Sequence, residues 1–404
     1  MGMEWGKAHV LYLLPSCVFL VRCSLRAHRL QRQECSFVAF RNVSKDDANV
    51  ILVDCSQPGV SSLTHHRTAK TPGDLFGDSS TELVIDARRK GHMILKGKTR
   101  VSVNHFDIDG FLSVLAATRS DLVNQYGELF IQAAKIGDFR EFDFDKFLKG
   151  EKVVKQALAL CTLLNTLERC KFSKPFEGDD DRKWPIFLAE QEVYDAIAGA
   201  VPKTGMEEYE EVLRGCKILR DPSVTTITRY EDVGLVVIDT PNPLHYYALF
   251  SVCGAADIVL TKYSSNRYEV EQRYTTYVEY QSRPTFPRIC MSNLARFLQA
   301  NSSQGDCIWR TDRFVDSGPL LRLEKASTPN LTKAQRYGHP SERPIYSSAL
   351  SPTEIENVVY SYFKHAYSST NTTQGDSKEW SFQRMHALNA QVDWTTWADA
   401  NKIR

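Results

Sequence analysis

Residues Val101–Ser113 read V-S-V-N-H-F-D-I-D-G-F-L-S, and the reading of this stretch decides the fold. Its β-branched start extends a strand expected over Thr99–Asn104, and Phe111–Ala117 has the apolar content of a following helix. Alternation at period two predicts that His105, Asp107 and Asp109 project from one side of an extended backbone. One imidazole and two carboxylates gathered at a strand end suit a hard divalent cation, because anionic oxygens offset its charge and the ring adds a nitrogen ligand. Gly110 supplies the backbone freedom for a turn into the helix. His105, Asp107 and Asp109 are therefore the expected catalytic and metal-holding residues, with Mn2+ or Mg2+ as the expected ion.

The flanking sequence alternates strands and helices. Asn49–Asp54 (N-V-I-L-V-D) is a short apolar run of buried-strand type, and Ser56–Gly77, which carries His65 and His66, has loop composition. Helical patterns follow at Ser79–Lys90 and over 111–136, then at Glu151–Glu168 and Phe187–Ala200, with Glu177–Lys183 read as a solvated charged loop. Val233–Asp239 (V-G-L-V-V-I-D) is a buried strand ending in an acid, and Tyr268–Tyr280 alternates as a half-buried strand or hairpin. Ser351–Glu354 (S-P-T-E) is a capping box that starts a helix over 352–365. This order predicts an α/β protein with a mainly parallel sheet flanked by helices and a smaller C-terminal α/β domain. The expected units are an extension over 1–36, an N-terminal domain over 37–240, a C-terminal domain over 241–345 and a helical tail over 346–404.

Composition narrows the function classes. The chain has 404 residues, enough for two cores, and 50 Lys+Arg against 49 Asp+Glu leave almost no net charge, so there is no strong nucleic-acid signal. Ten cysteines without a C-x-x-C pair fit reduced thiols and a cytoplasmic setting. Ala8–Val21 is apolar but is interrupted by Pro15 and is too short for a membrane span. Arg22, Arg26, Arg29 and Arg32 follow it, and no acid falls between Glu4 and Glu34. That pattern fits an organellar targeting segment, and a nonfunctional extension fits it equally well. Sequence alone leaves the oligomeric state open.

The H-x-D-x-D-G segment resembles the first motif of the DHH phosphoesterases, in which these residue types bind manganese at the start of a sheet. The resemblance implies a DHH-phosphoesterase-like two-domain arrangement and hydrolysis of a phosphoester or pyrophosphate in a phosphorylated small molecule or nucleotide. It also implies a later strand ending in Asp, for which Asp239 is the candidate fourth metal ligand, with His245 a distant substitute for an Asp-His-His signature. No Asp-His-His triplet occurs in the chain, nor a Gly-Gly-His element. Basic residues of a second domain would then hold the substrate. Arg267, Arg283, Arg288, Arg310 and Arg313 have the right chemistry, with Arg283 and Arg288 the substrate-binding candidates. F-D-I-D-G-F also resembles the first motif of haloacid-dehalogenase-type phosphatases, which would make Asp107 a nucleophile. A third alternative is a noncatalytic descendant that binds a nucleotide or a protein partner.

Over about residues 37–325 the chain is similar to an uncharacterised family shared by plants and bacteria. The similarity is carried by F-V-A-F-R-N-V, N-V-I-L-V-D, V-N-H-F-D-I-D-G and S-G-P-L-L-R-L. Relatives carry a Ser-His-Trp-like element where this chain has Thr64, His65 and His66, which implies that His65 faces the site and contributes to substrate binding.

Overall fold

The computed structural model describes residues 35–402, except 68, 179, 303–304, 329, 338 and 376–380. The expected extension over 1–36 lies almost wholly outside the described residues.

The architecture is α/β with two sheets. The first is four-stranded and wholly parallel, in the order β1 (Ser36–Phe37), β4 (Arg100–Ser102), β2 (Val50–Val53), β3 (Ser62–Leu63). All four residues of β2 are buried, which explains the uninterrupted V-I-L-V: a strand covered on both faces has no solvent side to mark with polar residues. Helix α1 (Ser80–Arg89) is capped by the Ser79 side chain, which accepts from Glu82 N. Helix α2 (Ile108–Thr118) is buried around its whole circumference and is accordingly mostly apolar, with Asp109, Ser113 and Thr118 its buried polar residues. Helix α3 (Ser120–Phe139) follows after one residue and bends at Tyr126, whose φ of −127° is not helical. The single helix expected over 111–136 is thus two.

Four further helices complete this layer and lead to the second sheet: α4 (Phe144–Leu148), α5 (Lys152–Lys171), α6 (Asp180–Ala189) and α7 (Gln191–Ile197). Lys183, read from sequence as part of a solvated loop, is buried in α6 and forms a 2.7 Å ion pair with Glu168 of α5. A long charged side chain can lie inside when a carboxylate meets it, and only the fold supplies that carboxylate.

The second sheet is six-stranded and mixed, in the order β5 (Thr226–Tyr230), β6 (Leu235–Asp239), β7 (Ile258–Tyr263), β8 (Arg267–Gln272), β10 (Leu320–Lys325), β9 (Cys307–Thr311). Helices α8 (Met206–Leu219), before β5, and α9 (Tyr246–Phe250), between β6 and β7, both pack into the core of the first layer. Strand β6, expected within the N-terminal domain, is hydrogen-bonded inside this second sheet, antiparallel to β5 and parallel to β7. Its alternate residues serve two cores: Val236 and Ile238 join the core of the first layer, while Leu235 and Val237 join a second core. Helices α10 (Ser292–Asn301) and α12 (Pro352–Ser369) cover that second face, with the short α11 (Lys333–Tyr337) between them in sequence. The capping box at Ser351 and Glu354 is present, and Ile355, Val359, Tyr362 and Phe363 are buried in the second core, so α12 is a structural layer of the sheet rather than an appended tail. Helices α13 (Phe382–Gln391) and α14 (Trp394–Ala400) follow, the latter burying Trp397 against Phe297.

The expected strand Tyr268–Tyr280 stops at Gln272. The chain then leaves the sheet as a strap over residues 274–283, because its partners lie in the first layer. Glu279 N donates to His65 O at 2.8 Å, and Gln281 N and Ser282 N both donate to Asp78 Oδ1 at 2.9 and 2.8 Å.

Gly137 sits where α3 crosses the start of α2. A Cβ there would lie 2.6 Å from Ile108 Cβ. Gly137→Ala should therefore destabilise the protein by about 1–3 kcal/mol, read as a lower urea midpoint with an unchanged slope.

Candidate metal centre

Strand β2 ends at Val53 and is followed by Asp54, whose backbone is left-handed with φ of 52°, an uncommon conformation for a residue with a side chain. Its carboxylate is fully buried, and Ser80 Oγ donates to Oδ1 at 2.7 Å. The loop after β3 brings His65 to the same place. The His65 ring is bonded through Nδ1 to the Asp78 carbonyl at 2.8 Å. A carbonyl only accepts, so Nδ1 carries the proton and Nε2 keeps its lone pair. Among the described residues Nε2 has no hydrogen-bond partner although it is buried, and it faces three carboxylates: Asp138 at 3.4 Å, Asp54 at 3.5 Å and Asp109 at 3.9 Å. An imidazole held by a carbonyl on one nitrogen, with the other bare among acids, is the arrangement of a metal-ligating histidine.

The H-x-D-x-D-G residues do not act as one row. The helix begins at Ile108, so Asp107 is the N-cap of α2, with Gly110 N donating to Oδ1 at 2.8 Å, and Asp109 is already in the first helical turn. The period-two expectation fails at that boundary, since helical residues are turned by about 100° each. His105 and Asp107 face Asp54: His105 Nε2 lies 3.1 Å from Asp54 Oδ2 and 3.0 Å from Asp107 Oδ2, while its Nδ1 is 2.6 Å from Asn104 Oδ1. Asp109 points instead to His65 and Asp138. It is wholly buried and accepts from Ser80 N and Thr81 N, both at 2.8 Å, at the amino end of α1.

Three groups of three result, each with its donor atoms within 4.8 Å of one another: Asp54, His65 and His66; Asp54, His105 and Asp107; His65, Asp109 and Asp138. Asp54 and His65 each belong to two of them. Gly110 has no unusual backbone angle to supply. It is needed for space, since a Cβ there would lie 3.1 Å from Asp107 Oδ1 and 3.3 Å from Asp54 Oδ2.

Electrostatics express the crowding. Burial, followed by the charges of Asp107 and Asp109, pushes the Asp54 carboxyl up to about 6. Burial and the charges of Asp109, Asp107 and Asp54 hold the Asp138 carboxyl well above its ordinary range. Burial alone would lower the His105 pKa, but the adjacent Asp107 carboxylate outweighs it and holds the ring well above its usual value. The cluster thus has an unmet demand for positive charge, which a divalent cation would supply.

A cavity of about 290 Å3 opens against this cluster, lined by His105, Asp107, Asp138 and Arg140 of the first layer, by Tyr246 of α9, and by Glu271 and Tyr274 from the second sheet and the strap. Asp54, His65 and Asp109 lie behind that surface.

Of the residues expected from sequence, His65, His105, Asp107 and Asp109 meet here, whereas Asp239, Arg283 and Arg288 do not. Asp239 stands at the end of β6 with its side chain half exposed and 3.3 Å from Lys262 Nζ, and it belongs to none of the three groups. The strand-terminal acid beside the motif is Asp54, from an earlier strand. His245 is turned to Glu208 at 3.1 Å. Arg283 is paired with Asp257 at 3.0 Å. Arg288 is fully buried and donates to Thr276 Oγ1 and to the carbonyls of Phe314, Arg273 and Ser317, which makes it a fastener of the fold. Neither arginine lines the cavity.

Asp54, His66 and Asp138 were missed. Asp54 carried the same signal as Asp239, an apolar strand ending in an acid. His66 carried only its adjacency to His65, and Asp138 only an acid following Gly137 within an apolar helical pattern.

The structure thus defines an α/β protein whose buried Asp and His groups could hold a metal ion. The chain belongs to a family of unknown function, DUF6687, whose model matches residues 33–374 and so takes in both sheets and the whole cluster. No curated protein and no solved structure matches it.

A divalent cation that binds only the folded chain should stabilise it by about 2.7 kcal/mol at a hundred times its Kd. Thermal unfolding with and without Mn2+ or Mg2+, reversed by EDTA, reads this. Asp54→Asn should abolish the stabilisation, and Asp239→Asn should retain it.

Proposed function

We propose that the protein is a metal-dependent hydrolase of phosphoesters or related anhydrides in small phosphorylated molecules or nucleotides. The observation that carries this reading is the position of Asp54 between two donor sets, His105 with Asp107 on one side and His65 with His66 on the other, with His65 in turn shared with Asp109 and Asp138. A shared carboxylate between two such sets suits a pair of cations, and the mix of imidazole and carboxylate suits manganese better than magnesium. Bound in that way, divalent cations lower the pKa of a water and offset the charge of a phosphoryl group.

The chain's own groups prepare the site. The Asp78 carbonyl fixes the His65 ring, Ser80 Oγ orients Asp54, and the first amide groups of α1 hold Asp109. The cavity has room for a small ester beside His105, Asp107 and Asp138, with Tyr246, Tyr274 and Phe250 among its walls. Asp109 lies behind the cavity surface with both oxygens engaged by backbone amides. That placement favours a ligand role over the acid–base role a haloacid-dehalogenase-type phosphatase would give it.

Manganese-loaded full-length protein should take up two ions per chain and hydrolyse at least one member of a panel of phosphomonoesters, phosphodiesters, nucleotides and pyrophosphate. Asp54→Asn and Asp107→Asn should each lower kcat by about 100-fold or more. Manganese uptake without turnover of any panel member would point to the noncatalytic nucleotide- or protein-binding alternative.

A further inference from the structure

The strap that leaves β8 carries one side chain into the cavity beside the acidic cluster. Tyr274 lines the cavity together with His105, Asp107 and Asp138, and its hydroxyl lies 2.8 Å from His66 Nε2. That contact occupies Nε2, so a cation held by Asp54, His65 and His66 would meet His66 at Nδ1. An imidazole offering its lone pair at Nδ1 carries its proton at Nε2. With an ion bound at Nδ1 the hydrogen bond would run from His66 Nε2–H to the Tyr274 oxygen, which would leave the tyrosine's own proton for another acceptor. Among the described residues no other hydrogen-bond partner of the Tyr274 hydroxyl is present.

The hydroxyl is fixed in place from both sides. Its ring stacks on Phe139 at 6.0 Å and meets the His65 ring edge-on at 5.7 Å. The strap behind it is pinned to the first layer through His65 O and Asp78 Oδ1. A phenol keeps its proton at neutral pH, so the hydroxyl is available as a donor.

We propose that Tyr274 is a catalytic residue of this site, its hydroxyl donating a hydrogen bond to an oxygen of a phosphoryl group held against His105, Asp107 and Asp138. This rests on the phosphoester reading above. A preoriented donor acts most strongly on charge that develops during reaction. The second sheet thereby contributes directly to chemistry whose metal-holding groups all come from the first layer.

The test uses manganese-loaded full-length protein and its Tyr274→Phe variant, which keeps the ring contacts and removes only the hydroxyl. Manganese stoichiometry should be unchanged. The affinity for inorganic phosphate, measured by calorimetry, should fall about 10-fold, and kcat on any turned-over ester should fall at least about 10-fold with a smaller change in KM. Equal phosphate affinity in the two proteins overturns the role of Tyr274 and leaves the hydrolase reading intact. Loss of manganese from the variant also overturns it, because the hydroxyl would then act by holding His66. A wild-type protein that binds manganese but neither phosphate nor any ester overturns the hydrolase reading and this inference together.

Discussion

The centre depends on one buried carboxylate, Asp109, and on what it does at the amino end of α1. Both its oxygens accept backbone amides from Ser80 and Thr81, groups that a helix start leaves without intrahelical partners. Two residues earlier, Asp107 caps α2 in the ordinary way. One short segment thus closes two helix starts that point at the same volume. The partial positive charge of those starts offsets part of the cost of packing Asp54, Asp107, Asp109 and Asp138 so closely. Each oxygen of Asp109 retains a second lone pair, so helix closure and cation binding need not compete.

A second residue, Asp78, links this arrangement to the rest of the molecule. Its carbonyl holds His65, one carboxylate oxygen holds the strap at Gln281 and Ser282, and the other is 3.0 Å from Lys135 Nζ on α3. The tautomer of a candidate ligand and the docking of the second sheet are therefore set by the same amino acid. Arg288 secures the far side of the strap through the Arg273 carbonyl and the Ser317 turn.

Much of this was legible where local pattern and tertiary demand agree. The strand at Val50–Val53, the helix at Ser80–Arg89 and the capping box at Ser351 follow from apolar runs and cap chemistry that need no distant partner. The candidate site was legible as far as the H-x-D-x-D-G segment and the His65 loop. The rest was not, for particular reasons. Two strands end in an acid, and nothing within either tells which is hydrogen-bonded next to β4; the parallel pairing of β2 with β4 places Asp54 there and leaves Asp239 a sheet away. Asp138 lies on a helix whose sequence reads as packing surface. Tyr274 falls in an alternating pattern that sequence assigns to a strand, and only its bonding to the first layer shows that the strand has ended.

The strap has a consequence for dissecting the molecule. Every Asp and His of the three donor groups lies between residues 54 and 138, so the parallel sheet with its helices is, by ligand inventory, self-sufficient. Yet the clamp on Asp78, the contact on the His65 carbonyl and one wall of the cavity come from beyond residue 270. The smallest fragment that carries all the ligands is thus smaller than the smallest fragment that carries the centre.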